Sequence, residues 1–249
     1  MREIADEDTF HAVQRLGELQ DVLYAEGRQS LLVIFQGMDA SGKDGAVRKV
    51  FDAVNPTGVQ VTSFKQPSAE ELAHDFTWRC HQKAPPRGTI GVFNRSHYED
   101  VLVVRVHADA LLPAWVDGRK GEWERRYETI NEFENILTKA GTRVLKFFLQ
   151  ISKGEQKKRF LSRQKDPAKR WKLAAGDFAE REHWDDYQKA YEQMLPATSM
   201  KESPWYVIPS DHNWVRNYCV SHLIVGALEE MDPRMPEVVD EGLVKRKFK

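Results

Sequence analysis

Apolar positions along the chain switch repeatedly between two periods. Over residues 9–25 they recur at helical spacing through Phe10, Val13, Leu16, Leu19 and Leu23, which predicts an N-terminal helix within residues 1–28. Residues 31–35 (LLVIF) form an unbroken apolar run, the signature of a strand buried on both faces. Helical spacing resumes with Ala46, Val47, Val50 and Phe51. Further strands are predicted at 59–64, 89–93, 142–151 and 205–209, and helices at 69–83, 122–140 and 215–231. In the 122–140 helix, Trp123, Ile130, Phe133 and Leu137 lie towards one side. Strands alternating with helical crossovers imply a largely parallel sheet covered on both faces, an α/β chain. Periodicity fades after Asp232, where Pro233, Pro236 and a KRKFK ending mark residues 233–249 as a tail.

Composition narrows this picture. A chain of 249 residues, 41% hydrophobic, can bury one substantial core, so residues 1–249 are expected to form one domain. The net charge of −1 provides no global basic field to recruit nucleic acid or an anionic membrane, so any polyanion site must be local. Cys80 and Cys219 lack metal-type spacing and are expected to be two buried thiols in a reduced, cytoplasmic setting. The MREIADEDTF start carries no apolar leader core and no stretch approaches the length of a membrane span, so neither secretion nor membrane insertion is expected.

The candidate chemistry starts where the 31–35 strand ends. Gly37-Met38-Asp39-Ala40-Ser41-Gly42-Lys43-Asp44-Gly45 reads as Gly-x-x-x-x-Gly-Lys between a strand and a helix. A glycine-rich turn lets backbone N–H groups approach phosphate oxygens, and the helix that follows adds its free N–H groups and positive dipole end. Lys43 is expected to be a mobile point charge, its head solvated until the outer phosphates arrive. Two irregularities stand out. Asp44 replaces the Ser or Thr whose hydroxyl ordinarily meets magnesium, and Asp39 puts a carboxylate inside a loop that should avoid negative charge. A divalent cation between Asp39 and the phosphates would resolve both, so Asp39 is the expected metal ligand.

Two other segments carry chemistry. Phe93-Asn94-Arg95-Ser96-His97-Tyr98 leaves the 89–93 strand at the end where doubly wound sheets bind ligands. Asn94 stands where phosphate-loop ATPases place an acid; Arg95 has the planar fork suited to a transferring phosphoryl group. Glu99 and Asp100 could assist the metal, and His97 is read as a packing or capping residue. Residues 153–172 hold nine Lys or Arg against two acids, a local balance of +7. This run follows a core strand, sets Arg159 and Arg163 four apart on one helical face, and is broken by Asp166-Pro167. It therefore reads as a hinged basic lid over residues 153–183. Trp184, Tyr187 and Tyr191 are expected to pack the lid or the core rather than stack on a base.

With GMDASGKDG, FNRSHYEDVLVVRV, WERRYETINEFE, DPAKRWK, HWDDYQKAYE and SPWYVIPSDHNWVRN in this order, the chain resembles the second family of polyphosphate kinases, the polyphosphate-dependent nucleotide kinases. The resemblance runs from the N-terminal helix to about Asp232. It implies a three-layer α/β/α sandwich with a parallel central sheet, a phosphate-loop fold similar to thymidylate kinase, and a helical lid. It also implies transfer of a terminal phosphoryl group between inorganic polyphosphate and nucleotides (ADP/ATP, AMP, with GDP/GTP as a further pair), assisted by Mg2+ or by Mn2+ in its place. A homo-oligomer, dimer or tetramer, is implied as well. Asp39, Lys43, Arg95, Arg159 and Arg163 would be catalytic. Gly37, Met38, Ala40, Ser41, Gly42, Lys43, Asp44, Gly45, Arg48, Lys165, Lys169 and Arg170 would bind phosphate, and Asn94, Arg95, Glu122 and Arg126 the nucleotide. NRSHYED is more like the subgroup acting on both mono- and diphosphates than the one bearing DRSWYNR. One departure is Asn213, where the family often has Lys and a phosphate contact with it. Two alternatives stay open at this stage: an ATP-dependent nucleoside monophosphate kinase of the same fold, and a phosphate-loop nucleic-acid-binding ATPase.

Overall fold

The structure is a computed structural model that describes residues 1–112, 116, 121–173, 175–237 and 241–246. Helix α1 (Arg2–Glu26) ends at Gly27, whose left-handed backbone (φ 64°) lets its N–H reach the Leu23 carbonyl. Strand β1 (Ser30–Gln36) follows, buried at every position, and then α2 (Lys43–Val50). Strand β2 (Val59–Ser63), the short helices α3 (Ala69–Leu72) and α4 (Trp78–His81) and strand β3 (Ile90–Asn94) come next. The short helices α5 (Val103–Val106) and α6 (Ala108–Leu111) precede the long α7 (Glu122–Lys139) and strand β4 (Thr142–Gln150). The chain continues through α8 (Lys153–Lys165), α9 (Ala175–Glu182), α10 (Trp184–Ala197), strand β5 (Trp205–Pro209), α11 (Asn213–Met231) and α12 (Glu241–Val244).

The five strands pair in parallel in the order β2-β3-β1-β4-β5. Side chains alternate across the sheet. Leu31, Val33 and Phe35 join Leu16, Leu23, Val50, Val220 and Ile224 in one core under α1, α2 and α11. Leu32 and Ile34 join Ile130, Phe133, Tyr191 and Met194 in the other, under α7 and α10. Three layers result, and both faces of the sheet are covered as the unbroken apolar strands require.

Three sequence expectations change. Residues 69–83 do not form one helix: Asp75 Oδ1 accepts the Thr77 N–H (2.9 Å) and hydroxyl (2.5 Å), and this local turn competes with helical bonding between α3 and α4. Cys80 is buried as expected, but Cys219 is only half-buried on α11. The 233–249 tail contains α12; residues 238–240 and 247–249, with most of the KRKFK ending, lie outside the described residues. Among the described residues, no helix is long and apolar enough to cross a membrane.

The topology brings four loops to one edge. β1, β3, β4 and β5 all point the same way, so residues 37–42, Arg95, Ser152 and 210–212 emerge together. The chain turns from one side of β1 to the other, which opens a crevice at its carboxyl end. The Arg95 N–H donates to the Phe35 carbonyl at 3.1 Å, locking the β3 exit against the β1 exit.

Candidate active site

The loop after β1 has the backbone of a phosphate cradle. Gly37 (φ 151°) and Gly42 (φ 102°) hold conformations that L side chains rarely adopt. A Cβ on Gly37 would also meet the Leu149 carbonyl oxygen at 2.7 Å, and one on Gly42 would meet Arg216 Nη1 at 2.0 Å. Ala40 (φ 62°) and Arg95 (φ 64°) are non-glycine residues in the left-handed region, and both lie at this edge. α2 begins at Lys43, so its first N–H groups face the loop.

Lys43 departs from expectation. Its head is not solvated: the residue is 8% exposed, and Nζ donates to the Gly37 carbonyl at 2.6 Å and the Met38 carbonyl at 3.3 Å. Burial, then the charge of Arg95, lowers its pKa to about 8, against the pull of Asp39 and Glu99. The physical reason is that the loop curls over its own lysine and offers carbonyls in place of water.

Asp39 and Arg95 meet directly, with Asp39 Oδ1 accepting from Arg95 Nη2 at 2.5 Å. Glu99 Oε2 accepts from Arg95 Nη1 at 3.1 Å, so Glu99 serves the arginine. Glu99 above all, then Asp39, holds this guanidinium more firmly protonated than usual. Asn94 Nδ2 donates to Asp44 Oδ1 at 2.7 Å, and Lys172 Nζ stands 3.8 Å from Asp44 Oδ2. The two substituted positions of the ordinary motif therefore partner each other. Among the described residues, no group of three His, Cys, Asp or Glu is arranged to hold a metal. A magnesium-type cation needs only one or two carboxylates when phosphate oxygens and water complete its shell. Asp39, a hard oxygen donor at the cradle with only Oδ1 hydrogen-bonded, fits that requirement.

Gln156 on α8 and Asp177, Glu180 and Arg181 on α9 reach this edge. A cavity of about 30 Å³ lies between Asp39, Arg95 and Glu99 below and Glu180, Tyr187 and Tyr191 above. Gln156 Nε2 donates to the Asp39 carbonyl at 3.0 Å, and Glu180 accepts from Tyr187 at 2.5 Å and pairs with His107 at 3.0 Å. Trp184, Tyr187 and Tyr191 are buried in the core as expected, and the two tyrosines also line the cavity.

The lid cations divide. Arg159 faces the loop from outside: Nη1 donates to the Ala40 (2.9 Å) and Ser41 (3.1 Å) carbonyls, Nη2 to Ser210 (2.5 Å) and Asp211 (3.1 Å), Nε to Glu155 (3.0 Å). Arg163 stacks on Phe160 and sits 3.9 Å from Asp177. Lys165, Lys169 and Arg170 are exposed, as is Arg48 on α2; Lys169 pairs with Asp166 at 2.7 Å. Glu122 and Arg126 lie at the start of α7, where Arg126 Nε donates to Glu122 at 2.7 Å and Nη1 to the Asp100 carbonyl at 3.0 Å. Burial lifts the Asp100 carboxyl to about 6 despite Arg126 and Arg79. Glu99 and Asp100 are each paired with an arginine, Glu99 Oε2 with Arg95 at 3.1 Å and Asp100 Oδ1 with Arg126 at 3.5 Å.

Sequence reading missed Arg216, which is 3% exposed on α11 beside Gly42. The signal was present: it shares the inward face with Val220 and Ile224, and a lone arginine in such a stripe needs a reason. His97 is fully buried against Tyr98 and Phe133 and takes no part in the cradle.

A family model described as Polyphosphate kinase 2 matches residues 2–236. The AMP/ADP-polyphosphate phosphotransferase of Meiothermus ruber is 51% identical over 233 residues, 93% of this chain and 84% of that protein. The ADP-polyphosphate phosphotransferase of Rhodopseudomonas palustris is 50% identical over 229 residues, covering 90% of this chain and 79% of that one. The crystal structure of a polyphosphate kinase 2 from Arthrobacter aurescens superposes with a TM-score of 0.92 at 42% identity, covering 99% of this chain and 86% of that one.

Proposed function

Because the chain belongs to the polyphosphate kinase 2 family and is a polyphosphate:nucleotide phosphotransferase, we propose that it moves the terminal phosphoryl group of inorganic polyphosphate to ADP, and to AMP, across the cradle at residues 37–45. The observation that carries this reading is the convergence of Lys43, Asp39 and Arg95 at the carboxyl ends of β1 and β3. A polyphosphate terminus seats on the loop N–H groups and α2, and the Lys43 ammonium turns from loop carbonyls to phosphate oxygens. Arg95 exchanges a carboxylate for the transferring group. An oxygen of the nucleotide's terminal phosphate attacks the end phosphorus; the bridging P–O bond breaks, and the polymer leaves one unit shorter.

The acceptor oxygen is already ionised, so no general base is needed and His97 can stay buried. Catalysis is positioning and charge neutralisation, since the transition state is loose. Asp39 would hold the divalent cation the family's chemistry calls for, magnesium or manganese in its place; when bound, that ion screens repulsion between the two polyanions. The lid keeps water from acting as acceptor, with Tyr187 and Tyr191 walling the cavity. The 153–183 segment would supply Arg163, Lys165, Lys169, Arg170 and Lys172 to the polymer, while Glu122 and Arg126 organise the nucleotide side.

The test is ADP or AMP with polyphosphate and no ATP. ATP or ADP should form while the polymer shortens. Transfer only from ATP to a monophosphate, with polyphosphate inert, would overturn the reading in favour of an ordinary monophosphate kinase.

A further inference from the structure

Four Lys or Arg residues among the described residues are buried: Lys43, Arg79, Lys146 and Arg216. Arg79 has Glu71 within 3.9 Å and Lys146 has Glu134 at 2.6 Å. Among the described residues no carboxylate is in contact with Lys43 or Arg216, and both lie against the phosphate loop. For Lys43 the phosphate-binding reading explains this. For Arg216 nothing has yet done so.

Arg216 rests wholly on neutral amides. Nη1 donates to Asn213 Oδ1 at 2.8 Å; Nη2 and Nε donate to Asn217 Oδ1 at 2.8 and 3.2 Å. A guanidinium has five N–H donors, so two remain beyond these three bonds. The group lies against Gly42 and the first turn of α2: a Cβ on Gly42 would be 2.0 Å from Nη1, and one on Gly45 would be 3.2 Å from Nη2. Burial, then Arg159, depresses the Arg216 pKa to about 10. Arg159 has Glu155 at 3.0 Å in compensation; Arg216 has no such partner. Taking a cation out of water without a counter-charge is costly, and an apolar residue here would continue the α11 stripe at no such cost.

We propose that Arg216 is a positioning residue for phosphate: a buried cation kept without a carboxylate so that the anion entering the cradle supplies its counter-charge through the α2 N-terminus. The ligand class is a polyphosphate or nucleotide phosphate chain, and the inference rests on the phosphate-binding reading of residues 37–45. Stability and affinity should then move in opposite directions. Removing the charge relieves the ligand-free protein and weakens the anion. Supplying an internal carboxylate does the same, since it satisfies Arg216 before the ligand arrives.

The test is calorimetric binding of inorganic tripolyphosphate to the full chain, with the ligand-free thermal midpoint measured alongside. Arg216→Met and Asn217→Asp should each bind the probe on the order of 10- to 100-fold more weakly, the loss expected for one charge-assisted contact. Their ligand-free midpoints should equal or exceed the wild type's. A purely structural arginine predicts a lowered midpoint with unchanged affinity for the Met variant, and no weakening from Asn217→Asp. Asn217→Asp keeps Arg216 in place, so it remains decisive if the Met variant does not fold. Wild-type affinity in either folded variant, with Lys43→Ala still weakened, overturns this inference alone. Wild-type affinity in Lys43→Ala as well overturns the cradle reading beneath it.

Discussion

Lys43 holds its ammonium against the Gly37 and Met38 carbonyls, and burial beside Arg95 brings its pKa down from 10.5 to about 8. The unfolded chain keeps that proton up to about 10.5. Below pH 8 both states are protonated, and the folded state carries the full cost of the buried charge. Between about 8 and 10.5 the folded state releases the proton first, so the ligand-free protein gains stability as pH rises. Activity runs the other way, because the cation is being lost. kcat/KM for polyphosphate should fall through pH 8, and the limb in kcat should lie higher because bound phosphate raises the lysine pKa. Lys43→Arg should remove the limb near 8; its persistence in that variant would assign it to another group. For Asp39, Asp39→Ala should raise the magnesium needed for half-maximal rate roughly tenfold or more. An unchanged magnesium requirement would sink the metal assignment. Residue types at this scale were legible in the motif itself. That Lys43 is buried, or that Asp39 and Arg95 pair, was not, because both depend on how the loops after β1 and β3 meet.

At the scale of elements, α8 carries two arginines one turn apart with different partners. Arg159 ties the phosphate loop to the loop after β5 through four carbonyls, whereas Arg163 has a stacked ring and a distant Asp177. Arg159→Ala should destabilise the fold by about 2–4 kcal/mol in urea titration, since buried carbonyls lose a charged donor. Arg163→Ala should cost less, about 0.5–1 kcal/mol for a ring contact and a long ion pair, while weakening long-chain polyphosphate. Equal stability losses in the two variants would contradict this division. The spacing of 159 and 163 predicted a shared helical face, which α8 provides. The 3.6-residue period rotates each side chain by a different amount from the docking surface, so it could not predict which one touches the loop. The Asp166-Pro167 break was readable because proline chemistry is local. The false single helix at 69–83 arose because the Asp75 turn competed with a weak helical pattern.

For the molecule as a whole, the face of the sheet under α7 and α10 is held around a buried polar network. Lys146 Nζ donates to Glu134 Oε2 (2.6 Å), the Tyr98 hydroxyl (3.0 Å) and the Thr198 carbonyl (2.6 Å), and Glu134 accepts from Tyr98 (2.6 Å) and Ser203 (2.8 Å). The network joins β4, α7, the turn after Arg95 and the segment before β5. Glu134→Ala should therefore cost about 3–5 kcal/mol, because it strands a buried ammonium; adding Lys146→Met should recover much of that loss. Urea denaturation of both variants measures it, and a double variant no more stable than the single one would show that the packing, not the pairing, matters. The strands, a parallel sheet covered on both faces and the phosphate loop could be read along the chain, whereas the order of the strands in the sheet could not. The readable features rest on apolar periodicity, glycine conformations and short-range chemistry, which act between neighbours in sequence. Where each charge ends up required the folded molecule. Arg216 beside Gly42, Arg159 on the loop carbonyls and Asn94 on Asp44 pair residues from separate elements, and only the packed crevice sets which charges are neutralised internally and which await phosphate.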